Sequence, residues 1–100
     1  MTDLIATLEG LTSPRREVDE AMRIHFKYPP KPWNYTASLD AITALVDRVL
    51  PDALWDIGKG GVAKLLPNIF SRHIEVVTAA TPAIALCIAL IRALEARDAD

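Results

Sequence analysis

The chain has 100 residues, which suits one domain with a hydrophobic core of its own. Hydrophobic residues make up 51% and charged residues 24% of the chain, a composition that excludes intrinsic disorder. The formal net charge of −2 disfavours a basic nucleic-acid footprint, and the one cysteine, Cys87, excludes an intrachain disulfide.

Two short helices are predicted at the start of the chain. Apolar residues recur at helical spacing over residues 4–11, and Gly10 favours an end to the first helix. Ser13 as N-cap and Pro14 as the first helical residue mark the start of the second helix. Whether the residues between them break the helix or only kink it stays open. The apolar stripe of the second helix consists of Val18, Met22 and either His25 or Phe26.

An extended connector follows at residues 27–36, where three prolines exclude a helix. Aromatic side chains on an extended segment suit a binding edge, so Tyr28, Trp33 and Tyr35 are expected to contact a partner. The alternative is that Trp33 and Tyr35 hold the connector on the domain surface. A third helix is then predicted from Ser38, its N-cap, to Leu50, because Pro51 stops it.

The chain changes to a period of two after residue 52, which predicts three strands. Trp55 and Ile57 alternate with Asp56, and a second short apolar run covers residues 62–66. The "GKGG" between them predicts a hairpin with Lys59 at its tip, where the amine could contact an anionic partner. The third strand is predicted over residues 73–80, with Ile74 and Val76 on one face and His73, Glu75 and Val77 on the other. Short links between adjacent strands require an antiparallel meander.

The last helix is predicted from Thr81, the N-cap, through Pro82 to about Ala96. Residues 83–91 are apolar without interruption, so this helix must be covered on every side. We expect the sheet on one side and the other helices of the chain beside it; the alternative is a dimer or partner surface. The predicted fold is a single α+β domain over residues 1–100, with the order α-α-α-β-β-β-α in a layered α/β/α sandwich.

Few residues of the chain are candidates for catalysis or for metal binding. The candidates for a metal or nucleophilic site are His25, His73, Glu75 and Cys87, and none has the spacing of a known ligand motif. The "GKGG" lacks the remaining residues of a phosphate-binding loop. The sequence therefore predicts a protein with no enzymatic activity, no metal and no cofactor.

Three blocks of the sequence resemble a known family. They are "LIATLEGLTSPRREVDEAM", "YTASLDAITALVDRVLP" and "ATPAIALCIALIRALEA", with residues 35–41 and 80–83 as the most specific pieces. The blocks resemble small phage and prophage proteins grouped as the phage ABA-sandwich domain, although Ser13–Arg16 reads differently from the Gly-Pro-Asp-Arg that is more frequent there. The resemblance implies a helix–sheet–helix domain of phage origin, and it carries over no catalytic residue.

These observations predict an accessory protein of phage or prophage origin that acts by binding a protein or a second copy of itself. The alternative is a nucleic-acid-binding module, because three antiparallel strands followed by a helix are similar in topology to the double-stranded-RNA-binding domain. The start of the last helix carries no cation, so nucleic acid is the less expected partner. The acidic amino-terminal stretch and the apolar run, about half the length that spans a bilayer, predict a cytoplasmic protein without a membrane partner.

Overall fold

The computed structural model describes residues 2–27, 29, 31–68, 70–72 and 74–98, with the side chains of residues 2, 3, 97 and 98 excepted. Four helices and three strands follow one another in the order α-α-α-β-β-β-α, so the predicted α+β class and element order are confirmed. The elements are α1 (Thr2–Glu9), α2 (Arg16–His25), α3 (Leu39–Val49), β1 (Leu54–Gly58), β2 (Val62–Leu66), β3 (Glu75–Thr78) and α4 (Pro82–Asp98).

Side-chain caps fix the starts of α3 and α4 as predicted. The Ser38 hydroxyl accepts a hydrogen bond from the Ala41 amide at 3.2 Å, and the Thr81 hydroxyl accepts one from the Ile84 amide at 3.2 Å. Each cap satisfies an amide that the first turn of a helix leaves without a partner. Pro82 is the first residue of α4, where its missing N–H costs no hydrogen bond.

The predicted start of α2 at Ser13 and Pro14 is wrong, because the helix begins at Arg16 and both residues precede it. Arg15 is the N-cap residue in an extended conformation, and its amide donates to the Thr36 hydroxyl at 3.0 Å. A contact across 21 residues therefore sets this boundary in place of a local cap. The same segment, residues 10–15, separates α1 from α2, which settles the question of a break or a kink.

The three strands form one antiparallel sheet in the order β1-β2-β3, which confirms the meander. The hairpin between β1 and β2 turns through Gly60 and Gly61, both at positive φ. A Cβ at Gly61 would lie 2.1 Å from the Ala79 carbonyl oxygen, and the Ala79 amide donates to the Gly61 carbonyl at 2.9 Å. Only glycine fits this position, since it combines the left-handed backbone with a close approach of β3.

Helix α4 is the middle layer of the domain. It packs against β2 and β3 on one side and, away from the sheet, against α1 and α3, while α2 packs on α1. Residues 83–91 are buried throughout, so the prediction that the chain itself covers this helix is confirmed. The predicted α/β/α sandwich had the sheet as its middle layer; in the structure the middle layer is α4. The sheet forms an outer layer, and its second face carries no helix among the described residues.

Candidate protein-binding surface

The two faces of the sheet differ in what covers them. Ala63, Leu65 and Val77 point toward α4 and are buried. Their neighbours along the strands therefore point away from α4, because successive residues of a strand alternate between faces. We call this second face the open face. It carries three rows of paired residues: Leu54–Leu66, with Ile74 beyond the start of β3; Asp56–Lys64–Val76; and Gly58–Val62–Thr78.

Apolar side chains of the open face are unusually accessible. Leu54 is 54% exposed, Val76 54% and Ile74 48%, while Leu66 and Val62 are partly buried. The solvated face of an antiparallel sheet ordinarily carries polar side chains. Leu54 and Ile74 lie at either end of the row that contains Leu66, and Val76 lies in the next row, so the exposed apolar side chains are grouped on one side of the sheet.

Two opposite charges lie at the centre of the open face. Asp56 on β1 pairs in register with Lys64 on β2, and both side chains are exposed. The Asp56 carboxylate accepts a hydrogen bond from the Ile57 amide at 2.9 Å. Within the described part of the chain, the Lys64 amine forms no ion pair within 4.0 Å. Both charges are therefore available to groups outside the chain.

Strand β1 is also poorly covered on its other side. Trp55 points to the same side of the sheet as the buried Leu65 opposite it, yet it is 41% exposed. The reason is that α4 lies beneath β2 and β3 rather than beneath β1. Strand β1 thus combines an unpaired edge with accessible side chains on both faces.

The aromatic residues of the connector differ in their burial and in their contacts. The Trp33 ring is partly buried and packs against the core, and its indole N–H donates to the Pro29 carbonyl. The Arg23 guanidinium lies 4.7 Å and the Lys31 amine 5.1 Å from the ring centroid, both in cation–π geometry. Trp33 therefore holds the connector on the domain surface, and two cations already occupy its ring.

Tyr35 is 1% exposed, so its expected contact with a partner is wrong. Its carbonyl accepts a hydrogen bond from the Cys87 thiol at 3.6 Å, which places it against α4 in the core. Burial, and secondarily the negative charge of Asp19, raises the pKa of the Tyr35 hydroxyl.

The other two predicted contact residues are Lys59 and Tyr28. Lys59 is exposed at the tip of the hairpin, as predicted, and it lies beside the open face. Tyr28, the remaining predicted contact, lies outside the described residues.

A buried polar cluster joins the connector to α2. The Asp19 carboxylate accepts hydrogen bonds from the amide and the hydroxyl of Thr36, both at 2.8 Å. Thr36 is fully buried and is the one buried polar residue among those described. These contacts fix the connector across α2, which is a structural task rather than a chemical one.

We expect the Cys87 thiol to resist a thiol reagent at neutral pH in the native protein and to react stoichiometrically after denaturation. The side chain is fully buried, and burial raises its pKa well above the ordinary value of 9.0. The unfolded chain ionises first, so this contribution to the free energy of unfolding is complete below pH 9 and is lost as the pH rises. Cys87→Ala should therefore show a shallower alkaline loss of stability. Rapid modification of the native protein would contradict this placement.

The candidate residues for a metal or nucleophilic site form no such site among the described side chains. His25 is exposed on α2, Glu75 is partly buried on β3, and His73 lies outside the described residues. Among the side chains that the structure describes, no group of three His, Cys, Asp or Glu could hold a metal ion. No helix in the described ranges is both long and apolar enough to cross a membrane.

Comparison of the chain with protein-family models, with curated proteins and with solved structures finds no match. The function must therefore be argued from the surface itself. That surface, the open face, was not among the residues predicted from the sequence. Its signal was the second apolar series of the strands, Leu54, Val62, Leu66, Ile74 and Val76, which alternates with the buried series.

Proposed function

We propose that this chain is a non-enzymatic accessory protein of phage or prophage origin that acts by binding another protein through the open face. The observation that carries the proposal is the exposure of Leu54, Ile74 and Val76 on one side of a sheet whose other side is packed. Burying these side chains against a partner would remove apolar area from water, which is the main driving force of protein association.

The charges at the centre of the open face add specificity to this binding. Asp56 and Lys64 would meet groups of opposite sign on the partner, whereas a partner with the wrong pattern would leave them desolvated without compensation. A phage origin is supported by the resemblance of residues 35–41 and 80–83 to the phage ABA-sandwich family.

A capture experiment with matched variants tests the proposal. The wild-type chain, Val76→Asp and Ile24→Asp are immobilised and exposed to a lysate of a bacterial host. Ile24 is an exposed apolar residue on α2, away from the open face, so it controls for the chemistry of the substitution. Thermal melting of all three chains shows that they are folded.

The expected result is a host or phage protein that the wild type and Ile24→Asp retain and that Val76→Asp loses. Retention of the same protein by all three baits would show that the open face is not the binding surface. Recovery of the baits alone would overturn the accessory role.

A further inference from the structure

We infer that a second copy of this chain binds the half of the open face formed by β1 and β2, with β1 of each copy lying over β2 of the other. The inference rests on the proposed function in one respect, namely that both use the open face. The two copies would be related by a two-fold axis parallel to the strands and midway between β1 and β2, a symmetry that makes the contact isologous. Sheets that pack face to face keep their strand directions within about 30° of each other, which this axis allows.

The register of β1 and β2 makes the open face complementary to itself. The axis places each residue of β1 over the β2 residue with which it pairs in its own chain. Leu54 then lies over Leu66 of the second copy, so the apolar row meets an apolar row. Asp56 lies over Lys64 of the second copy, and the symmetry repeats this opposite-charge contact. At the third row, Gly58 offers no side chain and leaves room for Val62 of the second copy.

Other two-fold axes parallel to the strands give poorer contacts. An axis along β2 would place Lys64 over the same residue of the second copy, so two ammonium groups would be desolvated against each other. An axis between β2 and β3 would place Lys64 over Val76 and leave the amine without a counter-charge. Of these three axes, the one between β1 and β2 is the one that brings opposite charges together.

The size of the contact limits its strength. Two overlapping strands cover an area of about 10 Å by 17 Å, given the ordinary strand spacing and rise. This area is well below that of a standard stable interface. The dimer should therefore be reversible, with a dissociation constant in the micromolar to submillimolar range.

A charge-swap experiment with purified chains tests the inference. Asp56→Lys and Lys64→Asp each put like charges at both contacts of the symmetric dimer, so each alone should bind itself at least about tenfold more weakly than the wild type. An equimolar mixture of the two variants restores opposite charges at both contacts, so the mixture should associate as the wild type does. Sedimentation equilibrium from low micromolar to submillimolar concentration measures all of these states.

Two further variants distinguish a loss of association from a loss of folding. The double variant Asp56→Lys/Lys64→Asp keeps the opposite charges within its own sheet; it should bind itself but not the wild type. Arg48→Asp makes the same change of charge on α3, on the side of α4 away from the sheet, and should associate like the wild type. Both predictions hold even if a single variant fails to fold.

The inference is overturned if the wild type stays monomeric throughout the concentration range, or if the mixed single variants associate no better than either alone. In that case a lysate protein lost by Val76→Asp would still support the proposed function, with a foreign chain on the open face. Conversely, charge-dependent self-association with no captured protein would establish the dimer and overturn the accessory role.

Discussion

Replacing Leu86 with alanine should lower the free energy of unfolding by about 2–5 kcal/mol, the usual cost of truncating a fully buried leucine. Leu86 lies in the first half of α4 with no exposed surface, and α4 packs between the sheet and the helices α1 and α3. Because both neighbouring layers pack on this helix, neither can collapse into the space without losing contacts of its own. Urea unfolding followed by far-UV circular dichroism measures the change.

Leu54→Ala is the matched control for this substitution. It removes the same atoms from the open face, where the side chain is more than half exposed, and should cost no more than about 1 kcal/mol. Both variants should be compared at concentrations where the chain is monomeric, so that self-association does not contribute. Equal costs for the two leucines would mean that α4 is not the centre of the core.

The central position of α4 is the part of the fold that the sequence predicts most directly. An uninterrupted apolar run at residues 83–91 has no side that water can solvate, so a sheet and a helical layer must cover it. The caps of Ser38 and Thr81 are equally local signals, since each depends on a hydroxyl and an amide three residues away. Such features need no knowledge of the rest of the chain.

The start of α2 could not be predicted, because a distant residue determines it. Ser13 and Pro14 have the local pattern of a helix start, yet the amide of Arg15 is bound by Thr36, which lies 21 residues away. The prediction that Tyr35 contacts a partner was wrong for a related reason. An aromatic residue beside prolines is as compatible with a core position as with a binding edge, and only the packing of the connector against α4 distinguishes the two.

The open face could not be predicted from the pattern of the strands alone. Strand β1 offers Leu54 on one face and Trp55 and Ile57 on the other, so both of its faces are partly apolar. Which series faces the core depends on the side of the sheet on which α4 packs. The residues of all three strands together determine this side. The period of two therefore predicted the strands and the alternation, and left open which face would be accessible.

Replacing Asp19 with alanine should lower the free energy of unfolding by about 3 kcal/mol, since two charge-assisted hydrogen bonds to a buried residue are lost. The carboxylate binds both the amide and the hydroxyl of Thr36 at 2.8 Å, and neither group has access to water in the folded chain. Glu17→Ala is the control, because this exposed carboxylate lies in the same first turn of α2 and should cost no more than about 0.5 kcal/mol.

A double-mutant cycle with Thr36→Val separates this contact from other effects of the Asp19 substitution. Valine keeps the Thr36 amide and removes the hydroxyl, so the second substitution should cost less in an Asp19→Ala background than in the wild type. Additive losses would show that the carboxylate and the hydroxyl do not stabilise each other. A positive coupling would instead show that this buried link holds the connector on α2, and with it Tyr35 against the central helix.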